Sequence, residues 1–172
     1  KLIVTRSTGY DHVNLNACAK RKILVCNKSS YGESTVAEHT FALILALSRK
    51  IHESHFRRMH EDFSIKGLKG FDLEGKVLGV IGAGNIGKHV IKIARGFGMK
   101  VLVNDRHPDK FLAEEMDFEY VDLKKLLKKS DIVTLHIPYI KENFHFIDKM
   151  KIKMMKKGSI LINTARGEIV DT

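Results

Sequence analysis

A strand, a glycine loop and a helix in immediate succession constrain this chain more than any other feature. VLGVI at 77–81 runs into Gly82, Gly84 and Gly87, spaced GxGxxG. An amphipathic stretch follows, NIGKHVIKIARGFG, with Ile86, Val90, Ile93 and Phe97 near helical spacing and glycines at its end. An apolar strand that feeds a glycine turn and then a 3.6-residue period is a βα unit. The rhythm continues through KVLVND, a short FEYV, DLKKLLKKS with Asp122 as its N-cap, DIVTLHI, IDKMKIKMM ended by Gly158, and SILINT. Strands alternating with helices in this way predict an α/β fold, a doubly wound parallel sheet of Rossmann type, over residues 32–172.

Upstream, LIVT (2–5), read as a buried strand, VNLNACAKR (13–21) and ILVCN (23–27) form a smaller βαβ pattern with parallel strands, and residues 1–31 are expected to belong to a second, partial domain. The polar KSSYGES at 28–34 reads as a hinge. Thr35 and Glu38 have capping-box spacing and are expected to open a long helix to Arg49. Its centre, FALILAL at 41–47, is apolar all round and is expected to be buried on every side, against the nucleotide domain and against a second domain or subunit. SIKGLKGFDLEGK at 64–76 reads as an irregular connector.

The glycine loop also carries chemistry. Gly82 permits a tight turn, Gly84 lets backbone approach a pyrophosphate, and Gly87 lets the helix lie close to the sheet. The helix N-terminus then turns amide groups and the positive end of its dipole toward the phosphates. Asp105, at the end of the next strand, would accept hydrogen bonds from an adenosine ribose and repel a 2′-phosphate, which favours NAD over NADP; Arg106 beside it could instead answer that phosphate. A second candidate centre is Arg166, just past SILINT. Its planar, permanently charged fork matches a carboxylate, and the carboxyl end of a parallel strand is where such sheets bind ligands.

The remaining composition narrows the classes. A formal charge of +10 comes from lysines spread over several expected helices, without arginine–aromatic clustering, which reads as solvated helix faces, with no nucleic-acid partner. Cys18 and Cys26 lack CxxC spacing and read as small buried residues in a reducing, cytoplasmic setting. The longest apolar run, 41–47, is too short to span a bilayer, so no membrane association is expected. His52, His55 and His60 do not have HExxH spacing and read as a solvated face near the end of the long helix, leaving no metal site. Met150, Ile152 and Met154 or Met155 are expected to pack onto the sheet. Ser7 has no base placed beside it and is not a nucleophile candidate.

AEHTFALILALSR, LEGKVLGVIGAGNIG, the strand end at Asp105, DIVTLHIP and MKKGSILINTARGEIVD, in this order, resemble the D-isomer-specific 2-hydroxyacid dehydrogenases, D-lactate dehydrogenase-like members among them, and RSTGYDHVNL is similar to that family's substrate loop. The resemblance covers almost the whole chain. It implies a partial flavodoxin-like substrate domain before the NAD-binding domain. It implies an enzyme that interconverts a small 2-keto acid and a D-2-hydroxy acid with NAD, as a homodimer when full-length, with the long helix in the dimer contact. Arg166 would bind the substrate carboxylate and polarise the keto oxygen, with Ser7, Thr8 and Gly9 offering backbone N–H groups to the same carboxylate. Thr40, Asn85, Ile86, His136, Ile137, Pro138, Asn143, Thr164 and Ala165 would join Gly82, Gly84, Gly87, Asp105, Arg106 and Arg166 around the cofactor.

His136 is not the acid/base of this chemistry. The resemblance places that histidine, and the glutamate that raises its pKa, after Arg166. The chain opens on Lys1 rather than Met and stops at Thr172, so it is expected to be a piece truncated at both ends, without turnover of its own. A second reading on the same fold is an NAD(H)-sensing interaction protein of the corepressor kind. Lactate, glycerate, glyoxylate, hydroxypyruvate, phosphoglycerate and phosphite all stay open as substrates.

Overall fold

The first of two units, Lys1–Glu33, is built on β1 (Leu2–Thr5), α1 (Leu15–Lys20) and β2 (Leu24–Asn27). The computed structural model describes residues 1–28 and 30–172; of the stretch expected as a hinge, Ser29 lies outside the described residues. Asn14 caps α1 by accepting from the Ala17 N–H at 2.9 Å. The strands pair in parallel, Leu2 with Leu24 through Thr5 with Asn27. The first was expected to be buried and is not: Leu2 is 59% and Val4 65% exposed. Two strands and a six-residue helix have too little surface to cover both faces. Cys26 is likewise exposed, whereas Cys18 is buried. Val25 is the half-buried residue of β2, and strand alternation turns Cys26 to the open face.

The second unit is Ser34–Thr172, and the long helix α2, Glu33–Ser48, starts at its boundary. It starts before Thr35, so the expected capping pair lies inside its first two turns. Glu33 holds the first turn, where a carboxylate suits the positive end of the dipole. The helix is also not buried all round. Ala37, Thr40, Phe41, Ile44 and Ser48 form one buried stripe, while Leu43 and Leu47 are 36% and 39% exposed. Lys50, in the left-handed region at φ 57°, breaks the chain before α3 (Ile51–Met59). His52 and His55 therefore sit on a separate, exposed helix, with His60 just past its end. Among the described residues no group of three metal-ligating side chains converges, and no helix is long and apolar enough to cross a membrane.

The connector 64–76 is irregular, as expected. After it come β3 (Val77–Ile81), α4 (Asn85–Gly96), β4 (Lys100–Asn104), α5 (Lys110–Glu115), β5 (Glu119–Tyr120), α6 (Leu123–Lys129), β6 (Ile132–Leu135), α7 (Lys149–Met154) and β7 (Ile160–Asn163). The five strands pair in parallel in the order β5-β4-β3-β6-β7. Order reverses at β3, which makes the sheet doubly wound. Alternation sets the layers: Leu78 and Val80 face a core with Phe41 and Ile44 of α2 and Val90, Ile91 and Ala94 of α4. Ile81, Val133 and Leu135 face another with Leu126 and Leu127 of α6. Met154 and Met155 join that second core, but Met150 and Ile152 are exposed: α7 is a single short helix that turns only one side inward.

The amino ends of the strands are fastened by Asp131. Its carboxylate accepts from the Val77 N–H at 2.8 Å and from Lys156 Nζ at 2.9 Å, while its backbone bonds Val77 O and the Ile160 N–H. Burial works to raise the Asp131 pKa, and these two donors outweigh it, so the carboxyl titrates below its ordinary value.

Candidate functional site

The carboxyl ends of β3, β6 and β7 finish on one row, because Ile81 is in register with Leu135 and Leu135 with Asn163. On the other side Ile81 is in register with Asn104. The next residues along each strand, Gly82, Asp105, His136 and Thr164, therefore emerge together at one edge of the sheet.

Gly82 makes the first turn at φ +97°, a region that side chains rarely adopt. A Cβ there would stand 2.6 Å from His136 O, and one on Gly87 only 2.0 Å from Gly82 O. Both positions are closed to a side chain by backbone. Gly84 differs: a Cβ built on it meets nothing within 4 Å. Gly84 is also the N-cap of α4, without a side-chain capping bond. Gly84 thus leads into the first turn of α4, where backbone amides have no acceptor within the helix and carry the positive end of its dipole.

Asp105 ties this turn to β4. One carboxylate oxygen accepts from the Ala83 N–H at 2.7 Å and the other from the His107 N–H at 2.8 Å. Arg106 reaches the loop after β6, where its Nη2 donates to Asn143 Oδ1 at 3.0 Å. Asn143 ends a 3-10 turn (Lys141–Asn143), and its Nδ2 donates to Pro138 O at 2.7 Å. His136, Ile137 and Pro138 are thereby held as a fixed wall beside Gly82. His136 Nε2 is sealed from solvent and has no hydrogen-bond partner. Burial drives its pKa down to about 4, so the imidazole is neutral at ordinary pH.

Past β7 the backbone is set by Asn163, which the sequence reading did not single out. Its Oδ1 accepts from the Ala165 N–H at 3.0 Å and its Nδ2 donates to Arg166 O at 2.8 Å. The only sequence signal was an asparagine at the junction of a strand and a loop. A 3-10 turn follows (Gly167–Ile169), anchored where the His145 and Ile147 N–H groups donate to Glu168 O and Ile169 O, each at 2.9 Å. Arg166 thus presents an exposed side chain from a fixed backbone. Thr40, fully buried on α2, lies against Thr164 with the two hydroxyl oxygens 3.0 Å apart.

In the first unit, Ser7, Thr8 and Gly9 form a turn after β1. Ser7 Oγ donates to Gly9 O at 2.6 Å, and Asn27 Nδ2 donates to Thr8 O at 2.7 Å. A groove of about 570 Å³ in the second unit lies elsewhere, between Leu45, Phe71, Glu74 and Phe97, and contains none of these residues.

Residues 41–172 match the family model described as "D-isomer specific 2-hydroxyacid dehydrogenase, NAD binding domain". The chain belongs to the D-isomer specific 2-hydroxyacid dehydrogenase family. It is 42% identical over 173 residues to "2-hydroxyacid dehydrogenase homolog 2" of Schizosaccharomyces pombe, covering 100% of this chain and 52% of that protein. It is 38% identical over 172 residues to D-lactate dehydrogenase of Escherichia coli, with the same coverage. The crystal structure of D-lactate dehydrogenase from Aquifex aeolicus, complexed with NAD and lactic acid, superposes with a TM-score of 0.91 at 44% identity, covering 99% of this chain and 51% of that one. The chain spans about half the length of the curated relatives it matches. The doubly wound sheet expected from the glycine loop is the Rossmann-type NAD-binding domain of this dehydrogenase family.

Proposed function

We propose that the protein containing this chain is a cytoplasmic NAD-dependent dehydrogenase that interconverts a small 2-keto acid and the corresponding D-2-hydroxy acid, in the manner of D-lactate dehydrogenase. Residues 1–31 would form part of its substrate domain and 32–172 most of its NAD-binding domain. One observation carries the reading: of three closely spaced glycines, two are closed by backbone and the third, Gly84, faces open space at a helix N-terminus. That is the cradle a diphosphate requires.

NAD, when bound, supplies the hydride acceptor or donor. Gly84, Asn85, Ile86 and Gly87 would hold its diphosphate, Asp105 its adenosine ribose, and His136, Ile137, Pro138 and Asn143 the wall beside the adenosine. Thr40, Thr164 and Ala165 would flank the nicotinamide side. Arg166 would grip the substrate carboxylate and stabilise charge on the keto oxygen, with its geometry set in advance by Asn163. His136 transfers no proton in this scheme, since its Nε2 is sealed and unpartnered. The proton belongs to the histidine–glutamate pair that the family resemblance places after Arg166.

The exposed Leu43 and Leu47 of α2, with Phe56 and Met59 of α3, supply apolar surface for a homodimer contact. Light scattering on the full-length protein checks this, with a dimer mass expected and a monomer at micromolar concentration counting against it. For the reaction, full-length protein is assayed with NADH and a panel of 2-keto acids, with chiral analysis of the product. Formation of D-2-hydroxy acid is expected. Coenzyme binding without turnover of any acid would instead favour the sensing role.

A further inference from the structure

Arg106 follows Asp105 at the edge where an adenosine ribose would lie, so its guanidinium has two possible uses. It could meet a phosphate on the ribose 2′-position, or it could be engaged within the protein. In the structure it is engaged, with Nη2 donating to Asn143 Oδ1 at 3.0 Å. Asn143 is itself fixed. It is 3% exposed, its Nδ2 donates to Pro138 O at 2.7 Å, and its backbone N–H donates to Ile140 O at 2.9 Å. An asparagine side chain has a single acceptor oxygen, and here it is turned to Arg106.

Asp105 is equally fixed, because a backbone N–H donates to each of its carboxylate oxygens, from Ala83 and His107. This corner therefore holds a negative group in place and draws the neighbouring positive group away toward the loop after β6. Released, Arg106 would present a planar fork suited to a phosphate, and such charge-assisted pairs are among the stronger hydrogen bonds.

We propose that Asn143 is a specificity-determining positioning residue: by holding Arg106 it withholds the guanidinium from a 2′-phosphate and so makes the site select NADH over NADPH. The inference rests on the proposed seating of the adenosine ribose beside Asp105.

The test is a fluorescence titration of the full-length protein with NADH and with NADPH, giving the ratio of the two Kd values for wild type, Asn143→Ala, Arg106→Ala and the double variant. Asn143→Ala is expected to improve NADPH binding relative to NADH about tenfold, the worth of one charge-assisted hydrogen bond. Adding Arg106→Ala should cancel the gain, and Arg106→Ala alone should move the ratio less than about twofold, because the wild-type arginine is held elsewhere. An unchanged ratio in Asn143→Ala overturns the proposal, as does a gain that survives loss of Arg106. So does a selective weakening of NADPH by Arg106→Ala alone, which decides the matter if Asn143→Ala does not fold. Wild-type protein that binds neither coenzyme would remove the dinucleotide reading itself, whereas NADH binding with the wrong ratios removes only this inference.

Discussion

Thr40 and Thr164, 124 residues apart in sequence, place their hydroxyl oxygens 3.0 Å from each other and join the middle of α2 to the end of β7. Thr40 also donates to Val36 O at 2.9 Å, so its single proton is in use and Thr164 must be the donor of the pair. Thr40→Val removes the acceptor inside a fully buried site. We expect a loss of about 1–2 kcal/mol in urea unfolding, from an orphaned hydroxyl and a broken bond. Thr40→Ser should keep most of the wild-type stability; a loss in Thr40→Ser with none in Thr40→Val would mean that the methyl packing, not the hydrogen bond, is what counts.

The three glycines of the loop should respond differently. Gly82→Ala and Gly87→Ala drive a methyl into backbone and should both unfold at clearly lower temperature and lose NADH binding. Gly84→Ala meets nothing and has negative φ, so its melting temperature should stay close to wild type. It should still weaken NADH, because the added methyl occupies the space where the diphosphate would rest. Wild-type affinity in a well-folded Gly84→Ala would argue against that seat.

His136 gives a pH dependence whose sign is fixed by its surroundings. Its pKa falls from an ordinary 6.5 to about 4 because burial disfavours the charged ring. The unfolded chain therefore takes up a proton before the folded one does. Above pH 6.5 the ring is neutral in both states and adds no pH dependence, and stability is lost as pH falls from there toward 4, by up to about 3 kcal/mol. Denaturant unfolding of wild type and His136→Leu at steps across this window tests it. The variant's curve should be flatter, and parallel curves would show that another group titrates.

Arg166→Gln on the full-length enzyme should lower kcat/KM by about 100- to 1,000-fold, the usual cost of removing a preorganised donor at a developing oxyanion. NADH affinity should change little, since the proposed role is toward the substrate. A comparable loss from Asn163→Ala, with Arg166 intact, would show that orientation of the 165–166 backbone matters as much as the charge.

The strand order from β3 to β7 and the helices α4, α6 and α7 were legible because alternation and the 3.6-residue period are local, and Gly82, Gly84 and Gly87 gave the loop its register; the short α5, capped by Asp109, was not. What was not legible depended on neighbours. FALILAL has no polar side, so sequence could not say which stripe faces the sheet; contact with Val80 and Val90 chose Phe41 and Ile44 and left Leu43 and Leu47 outside. The break between α2 and α3 rests on a left-handed lysine, Lys50, which has no signature of its own. Thr35 and Glu38 showed the spacing of a cap, yet the helix had already begun at Glu33. In the site, charged and glycine residues stood out, while the amides that aim them, Asn163 and Asn27, did not. Their work is done by bonds to backbone that only the folded loop supplies.

Asp131 lies at the opposite edge of the sheet from Gly82, Asp105, His136 and Thr164, and it laces the starting points of β3, β6 and β7 with backbone and carboxylate bonds. Mechanical continuity and the proposed molecular recognition thereby fall on different rims of the same layer. Loops at the recognition rim are free to be exchanged over evolutionary time, or by an engineer seeking another acid or another coenzyme, without loosening the seam at the opposite rim.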